Sequence, residues 1–88
     1  MKINYLKKII IPANRSYKIC GIDWSSNNMK LAIACEYRNI YLFDEQGNYK
    51  EHFSNTPSDE DYEIVQILFN PESTKLAVAQ SNNVIFVY

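Results

Sequence analysis

Displaced by 45 positions, the 88-residue chain matches itself without a gap, residue 19 falling on 64 and residue 43 on 88. Ile22 meets Ile67, Lys30 meets Lys75, Leu31 meets Leu76, Ala32 meets Ala77, Ala34 meets Ala79 and Ile40 meets Ile85. Trp24/Phe69, Ile33/Val78, Tyr41/Phe86, Leu42/Val87 and Phe43/Tyr88 keep their character. A repeat constrains a fold strongly, because one unit cannot bury its own apolar face and must stack on the next. A helical repeat would show a 3.6-residue period over a dozen residues or more. Here the apolar runs are short, β-branched and aromatic, and broken by Asn, Ser, Pro or Gly.

A period of about 40–45 residues holding four short strands is the pattern of a propeller blade. In the first unit the strands are expected at 19–25, 30–37, 39–44 and 49–54, and in the second at 62–69, 75–81 and 83–88. Pro71 presets φ at the first turn position between two of them, and Gly47 supplies the positive φ of a tight hairpin. The middle strands are apolar on both faces, as expected of a blade packed between neighbours. Ala32, Ala34, Ala77 and Ala79 would allow close approach there. The strand at 49–54 alternates, with Tyr49, Glu51 and Phe53 expected on one face against Lys50 and His52. Residues 3–11 alternate too and belong to neither unit; they are expected to be a strand that closes the ring.

The expected fold is therefore all-β: two consecutive antiparallel blades of a WD40-type β-propeller, incomplete. Residues 1–15 hold the closing strand, 16–54 the first blade, and 55–88 a second blade lacking its outer strand. Two blades alone leave an apolar face bare at each end, forgoing on the order of 10 kcal/mol. The expectation is that these residues are part of a longer protein or a truncated gene product.

The residues resemble a particular family. Tyr5-Leu6-Lys7, Trp24-Ser25 with Asn27-Asn28 and Lys30, Asp44-Glu45 with Gly47, Phe53-Ser54 with Pro57, Pro71, Ser73-Thr74-Lys75, Gln80, Asn83 and Val87-Tyr88 carry the likeness. Their order is similar to the N-terminus of the intraflagellar transport protein 172 family, large peripheral subunits of the B complex of ciliary transport trains. The resemblance implies two N-terminal propellers before a helical solenoid, and a non-catalytic scaffold acting in cilium assembly and transport along the axoneme. It implies other B complex subunits as partners, at the cilium and basal body on the cytoplasmic side. Both units depart from standard WD40 repeats in lacking Gly-His and Trp-Asp, Phe43-Asp44 being nearest to the latter. The connection 55–61 is also shorter and more acidic than the family pattern. The alternatives are a WD40 scaffold or adaptor of another complex, such as a vesicle coat or ubiquitin ligase, and the propeller part of a larger enzyme.

The residues offer little chemistry. A net charge of −1 gives no general pull towards nucleic acid, and no stretch approaches the length of a membrane helix. Lys2, Lys7, Lys8, Arg15 and Lys18 form a basic N-terminus that could meet anionic lipid or tubulin, though solvated loops account for it equally well. Cys20 and Cys35 form no metal or disulfide pattern, and inside strand-like runs both are expected to be buried thiols of a cytosolic protein. His52 has no Ser or Cys in a nucleophile context, and Asn14-Arg15-Ser16 is a sequon without use in the cytosol. Trp24, aligned with Phe69, is expected in the core. Gly21 and Gly47 make no phosphate-binding loop, so no cofactor, metal, catalytic residue or small-molecule substrate is expected. The distinctive feature is acidic: Asp59, Glu60 and Asp61 in the connection 55–61, with Glu63 beyond it. Without a Gly-turned loop they are no Ca²⁺ site. Like charges so close need solvent or a basic partner, which makes these four the expected contact residues.

Overall fold

The computed structural model describes residues 3–11, 18–54 and 62–88. Strands β1 (Ile19–Trp24), β2 (Lys30–Cys35), β3 (Asn39–Asp44) and β4 (Tyr49–Ser54) form one sheet in that order. Strands β5 (Ile64–Phe69), β6 (Leu76–Gln80) and β7 (Ile85–Val87) form a second. Every neighbouring pair is antiparallel. These are two blades of an unclosed WD40-type propeller, as the repeat predicts.

The repeat extends to the backbone. The β1–β2 ladder shifts register between Ile19 and Gly21, and the β5–β6 ladder between Ile64 and Gln66, one repeat later. Asn28 and Ser73 occupy the same turn position with φ of 62° and 61°, as do Arg38 and Asn83 with 62° and 67°. The turn before each second strand is closed alike. Ser25 Oγ accepts from Lys30 N at 2.9 Å, and Asn70 Oδ1 accepts from Lys75 N at 2.8 Å. At the opposite end Lys18 O accepts from Glu36 N and Glu63 O from Ser81 N, both at 2.9 Å. A short side chain that accepts from the backbone stabilises a turn whatever the strands beside it contain. Gly47, with φ of 84°, is the left-handed residue of the three-residue β3–β4 hairpin.

Paired residues share a face, so the registers sort the side chains. Asp23, Ala32 and Leu42 line one face of the first sheet with Gly21, Ala34 and Ile40. That face meets Ile64, Ile67, Leu76 and Val78 of the second sheet, forming the core between blades. Leu31, Ile33, Cys35, Tyr41 and Phe43 line the opposite face and form a second buried cluster, against which the partly buried Ile9 and Ile11 pack. Burying one such aliphatic side chain contributes roughly 1.5–3 kcal/mol, and Ile40, Ile64 and Val78 are fully enclosed.

Three expectations are corrected. A register shift between Leu42 and Phe43 puts Tyr49 opposite Phe43, while Glu51 stays opposite Leu42. An inserted residue flips the side chains beyond it to the other face. Tyr49 therefore joins His52, and leaves Glu51 and Phe53. Its ring meets Phe43 edge-on at 5.9 Å, and His52 stacks on Tyr41 at 4.7 Å. Cys20 is exposed, because the bulge in β1 lifts it off the ladder; Cys35 is buried as expected. Trp24 is 49% exposed, since nothing among the described residues packs over its end of β1. Residues 3–11, expected to close a ring against its last blade, pair with neither of these two sheets. They meet the first sheet at its face, where there are side chains and no free backbone edge to extend.

Candidate interaction surfaces

The seam between the sheets is laced at both ends by polar groups. Asp23 Oδ2 accepts from Phe69 N at 2.7 Å, crossing from β1 to β5. In the first turn Ser26 Oγ donates to the carbonyl of Pro71 and lies 2.8 Å from Ser73 Oγ, which also accepts from Asn27 N at 3.0 Å. Ser73 is buried although it lies in a turn. At the other end Arg38, also buried, donates from Nη1 to Tyr62 O at 2.7 Å. A buried guanidinium is tolerated only where it is hydrogen-bonded. None of Asp23, Ser26, Arg38 and Ser73 stands out in the sequence as functional. The available signal is that each breaks the repeat: Asp23 falls on Leu68, Ser26 on Pro71, Arg38 on Asn83 and Ser73 on Asn28.

Glu63 is the one member of the expected acidic set that the structure describes; Asp59, Glu60 and Asp61 lie outside the described residues. Glu63 is exposed just ahead of β5, yet its side chain is engaged: Oε2 accepts from Tyr37 N at 3.3 Å. Its own N donates to Ser81 Oγ at 3.2 Å. Glu63 thus ties the entry of the second blade to the β2–β3 turn of the first.

The thiols are held protonated. Although Cys20 is exposed as a residue, partial desolvation of its sulfur, which faces Ala34 O at 3.5 Å, raises the thiol above its ordinary range, and Glu63 and Glu36 push it the same way. Burial likewise raises Cys35, with Cys20 and Glu36 adding to it. A neutral thiol is a poor nucleophile and a poor metal ligand. The described residues contain no group of three or more metal-ligating side chains. Two shallow cavities lie along the turn-bearing rim. One, of about 430 Å³, is floored by Leu42 and Phe43 beside Asp44, Lys50 and Glu51. The other, of about 200 Å³, lies where Phe53, Phe69 and Tyr88 converge between the blades.

The surface is built of connections held by a packed seam, and its relatives identify the chain's kin. The chain is 39% identical over 94 aligned positions to intraflagellar transport protein 172 of Chlamydomonas reinhardtii. It is 37% identical over 93 to intraflagellar transport protein osm-1 of Caenorhabditis elegans, and 33% over 93 to the human homolog of intraflagellar transport protein 172. Each alignment covers the whole chain. Along its full length the chain is homologous to these intraflagellar transport proteins. It spans 5% of the length of these relatives. No protein-family model matches it. In this chain the missing WD40 dipeptides do not remove the blades. Asp23, Ser26, Ser73 and Arg38 supply hydrogen bonds across the seam instead.

Proposed function

We propose that the chain serves as part of a non-catalytic WD40 scaffold in intraflagellar transport, contacting other subunits of the B complex through the connections at its blade rims. The observation that carries this reading is its homology, over every residue, to proteins named for that transport. The physical setting supports it. Strands in a propeller are committed to packing between blades, while the connections are free to present side chains. On this reading the chain works on the cytoplasmic side of the cilium and basal body, in cilium assembly and transport along the axoneme.

Within that function, Asp59, Glu60 and Asp61 are proposed as contact residues for a basic surface on a neighbouring subunit. Glu63 acts beside them by fixing the entry of the second blade, given its bond to Tyr37 N. The test is made in the intact protein. Replacing Asp59, Glu60 and Asp61 by Ser, with Glu63 left in place, should weaken capture of a B complex subunit while the melting temperature stays nearly unchanged. Pull-downs in which every subunit binds as in the wild type would reduce the connection to a solvated link.

A further inference from the structure

The turn between β2 and β3 holds two left-handed residues in succession, and neither is a glycine. Tyr37 and Arg38 both have φ of 62°, whereas of their repeat counterparts Asn82 and Asn83 only Asn83, at 67°, lies in that region. Asparagine reaches it readily because its short side chain bonds locally, but a bulky side chain is strained there. Strain of this kind persists only where the surroundings impose it, and it gathers at functional sites. Here both blades impose it. Glu63 Oε2 accepts from Tyr37 N at 3.3 Å, Arg38 Nη1 donates to Tyr62 O at 2.7 Å, and Asn39 Nδ2 donates to Glu36 O at 3.2 Å. The result is an aromatic ring held 57% exposed at the end of the seam, where the second unit has Asn82.

Two carboxylates flank the ring. Glu36 accepts from Lys18 N at 2.8 Å and Glu63 from Tyr37 N, and among the described residues neither is in an ion pair. The guanidinium of Arg38 is buried beneath the turn and committed to Tyr62 O, so it presents no charge at the surface. The resulting field reaches Cys20, whose thiol Glu63 and Glu36 raise more than Lys18 lowers it. We propose that Tyr37 anchors a contact with another B complex subunit by receiving an arginine or lysine side chain on its ring, between Glu36 and Glu63. A cation over an aromatic face is drawn to the negative charge of the ring, and a carboxylate beside it adds a charge-assisted hydrogen bond. Exposed tyrosine is among the residues that most often dominate a binding surface. Both walls of the seam beneath the turn are described, so the surface stands on a contact between blades that is already complete. The contact rests on the scaffold reading and is distinct from the one assigned to Asp59, Glu60 and Asp61.

The test uses the intact protein and purified B complex subunits, each titrated for binding, with thermal melting run alongside. Tyr37→Asn installs a residue that suits the left-handed conformation, so it should melt no lower than the wild type. It should nevertheless bind one subunit about tenfold more weakly, the size of effect a single anchoring side chain carries. Tyr37→Phe keeps the ring and should bind that subunit within about twofold of the wild type. Glu36→Gln with Glu63→Gln keeps an oxygen for Lys18 N and Tyr37 N while removing both charges. It should weaken the same binding at low salt, and the difference should shrink as salt screens the wild type. A wild type that binds no B complex subunit would overturn the scaffold reading and this contact with it. Binding that survives Tyr37→Asn would overturn the contact alone. So would a Tyr37→Asn protein that melts lower, which assigns the ring to the fold, or a Tyr37→Phe protein that loses binding, which assigns the contact to the hydroxyl. A glutamine pair that binds as the wild type does at every salt concentration would likewise remove the cation from the contact.

Discussion

Ile22 and Ile67 are the same residue at the same repeat position, in strands with the same bulge, yet one is 60% exposed and the other 4%. Trp24 and Phe69 differ in the same direction. The backbone hydrogen bonds of the turns that follow them match, so the backbone of a blade is set locally. Burial is set by the neighbour. In a stacked repeat much of the stability resides in the interfaces between units, and only one such interface is complete among the described residues. The first sheet has four strands to the second's three, yet of the pair Ile22 and Ile67 it is the second sheet's member that is enclosed.

That asymmetry can be broken most forcefully at Leu76, in the seam. Leu76→Asp should abolish the cooperative unfolding transition and the circular dichroism of the second sheet, since a buried unpaired carboxylate costs several kcal/mol. A variant that melts like the wild type would show that the seam does not hold the blades. Next comes the matched pair. Ile67→Ala should cost about 2–5 kcal/mol by leaving a cavity, whereas Ile22→Ala should stay within about 0.5 kcal/mol, as exposed positions do. Urea titrations of the two variants giving equal losses would mean that the far face of the first sheet is covered as thoroughly as the seam.

Strand positions and turn types were legible in the residues because they depend on near neighbours: β-branched runs, Pro71 and Gly47, and the 45-residue offset itself. Ala32 and Ala34 pointed to close approach, and they lie in the seam. What failed depends on information the pattern does not hold. The faces of β4 turned on one inserted residue, which an alternation of Tyr49, Glu51 and Phe53 cannot reveal. Trp24 was expected in the core because its counterpart Phe69 is there in kind, but a face is buried only when something sits on it. The candidate site was readable as a cluster of carboxylates; that Glu63 is tied to Tyr37 N required the fold.

A smaller effect belongs to Asp23, the acid that crosses the seam. Asp23→Ala leaves Phe69 N without its acceptor and should cost about 1–3 kcal/mol. Asp23→Asn keeps an oxygen in place and should cost less. Urea midpoints would rank them. Equal losses would show that the negative charge, more than the hydrogen bond, secures the second blade.

The smallest effect lies in a hairpin that only the first sheet possesses. Asp44 accepts from Asn48 N at 2.8 Å and from Gln46 N at 2.9 Å, with Lys50 Nζ 3.9 Å away. These contacts favour the carboxylate, the Asn48 backbone bond most, and hold its pKa below the ordinary 3.8. A depressed pKa contributes stability that is complete above the unfolded value and is lost as pH falls through the folded one. Asp44→Asn keeps an oxygen for both backbone donors but has no charge to titrate. The wild type should therefore melt slightly higher than Asp44→Asn at pH 7, and the gap should close as the solution is acidified through the carboxylate range. Taking the difference between the two proteins removes the other carboxylates, which titrate in both. The carboxylate is part-buried but sits in a surface hairpin where solvent screens it, so the gap should be the least of those predicted here. A gap that persists below both pKa values would assign the effect to turn geometry and not to charge. Because the second sheet has no such hairpin among the described residues, the pH dependence should appear in probes of the first blade, with Trp24 fluorescence as its reporter.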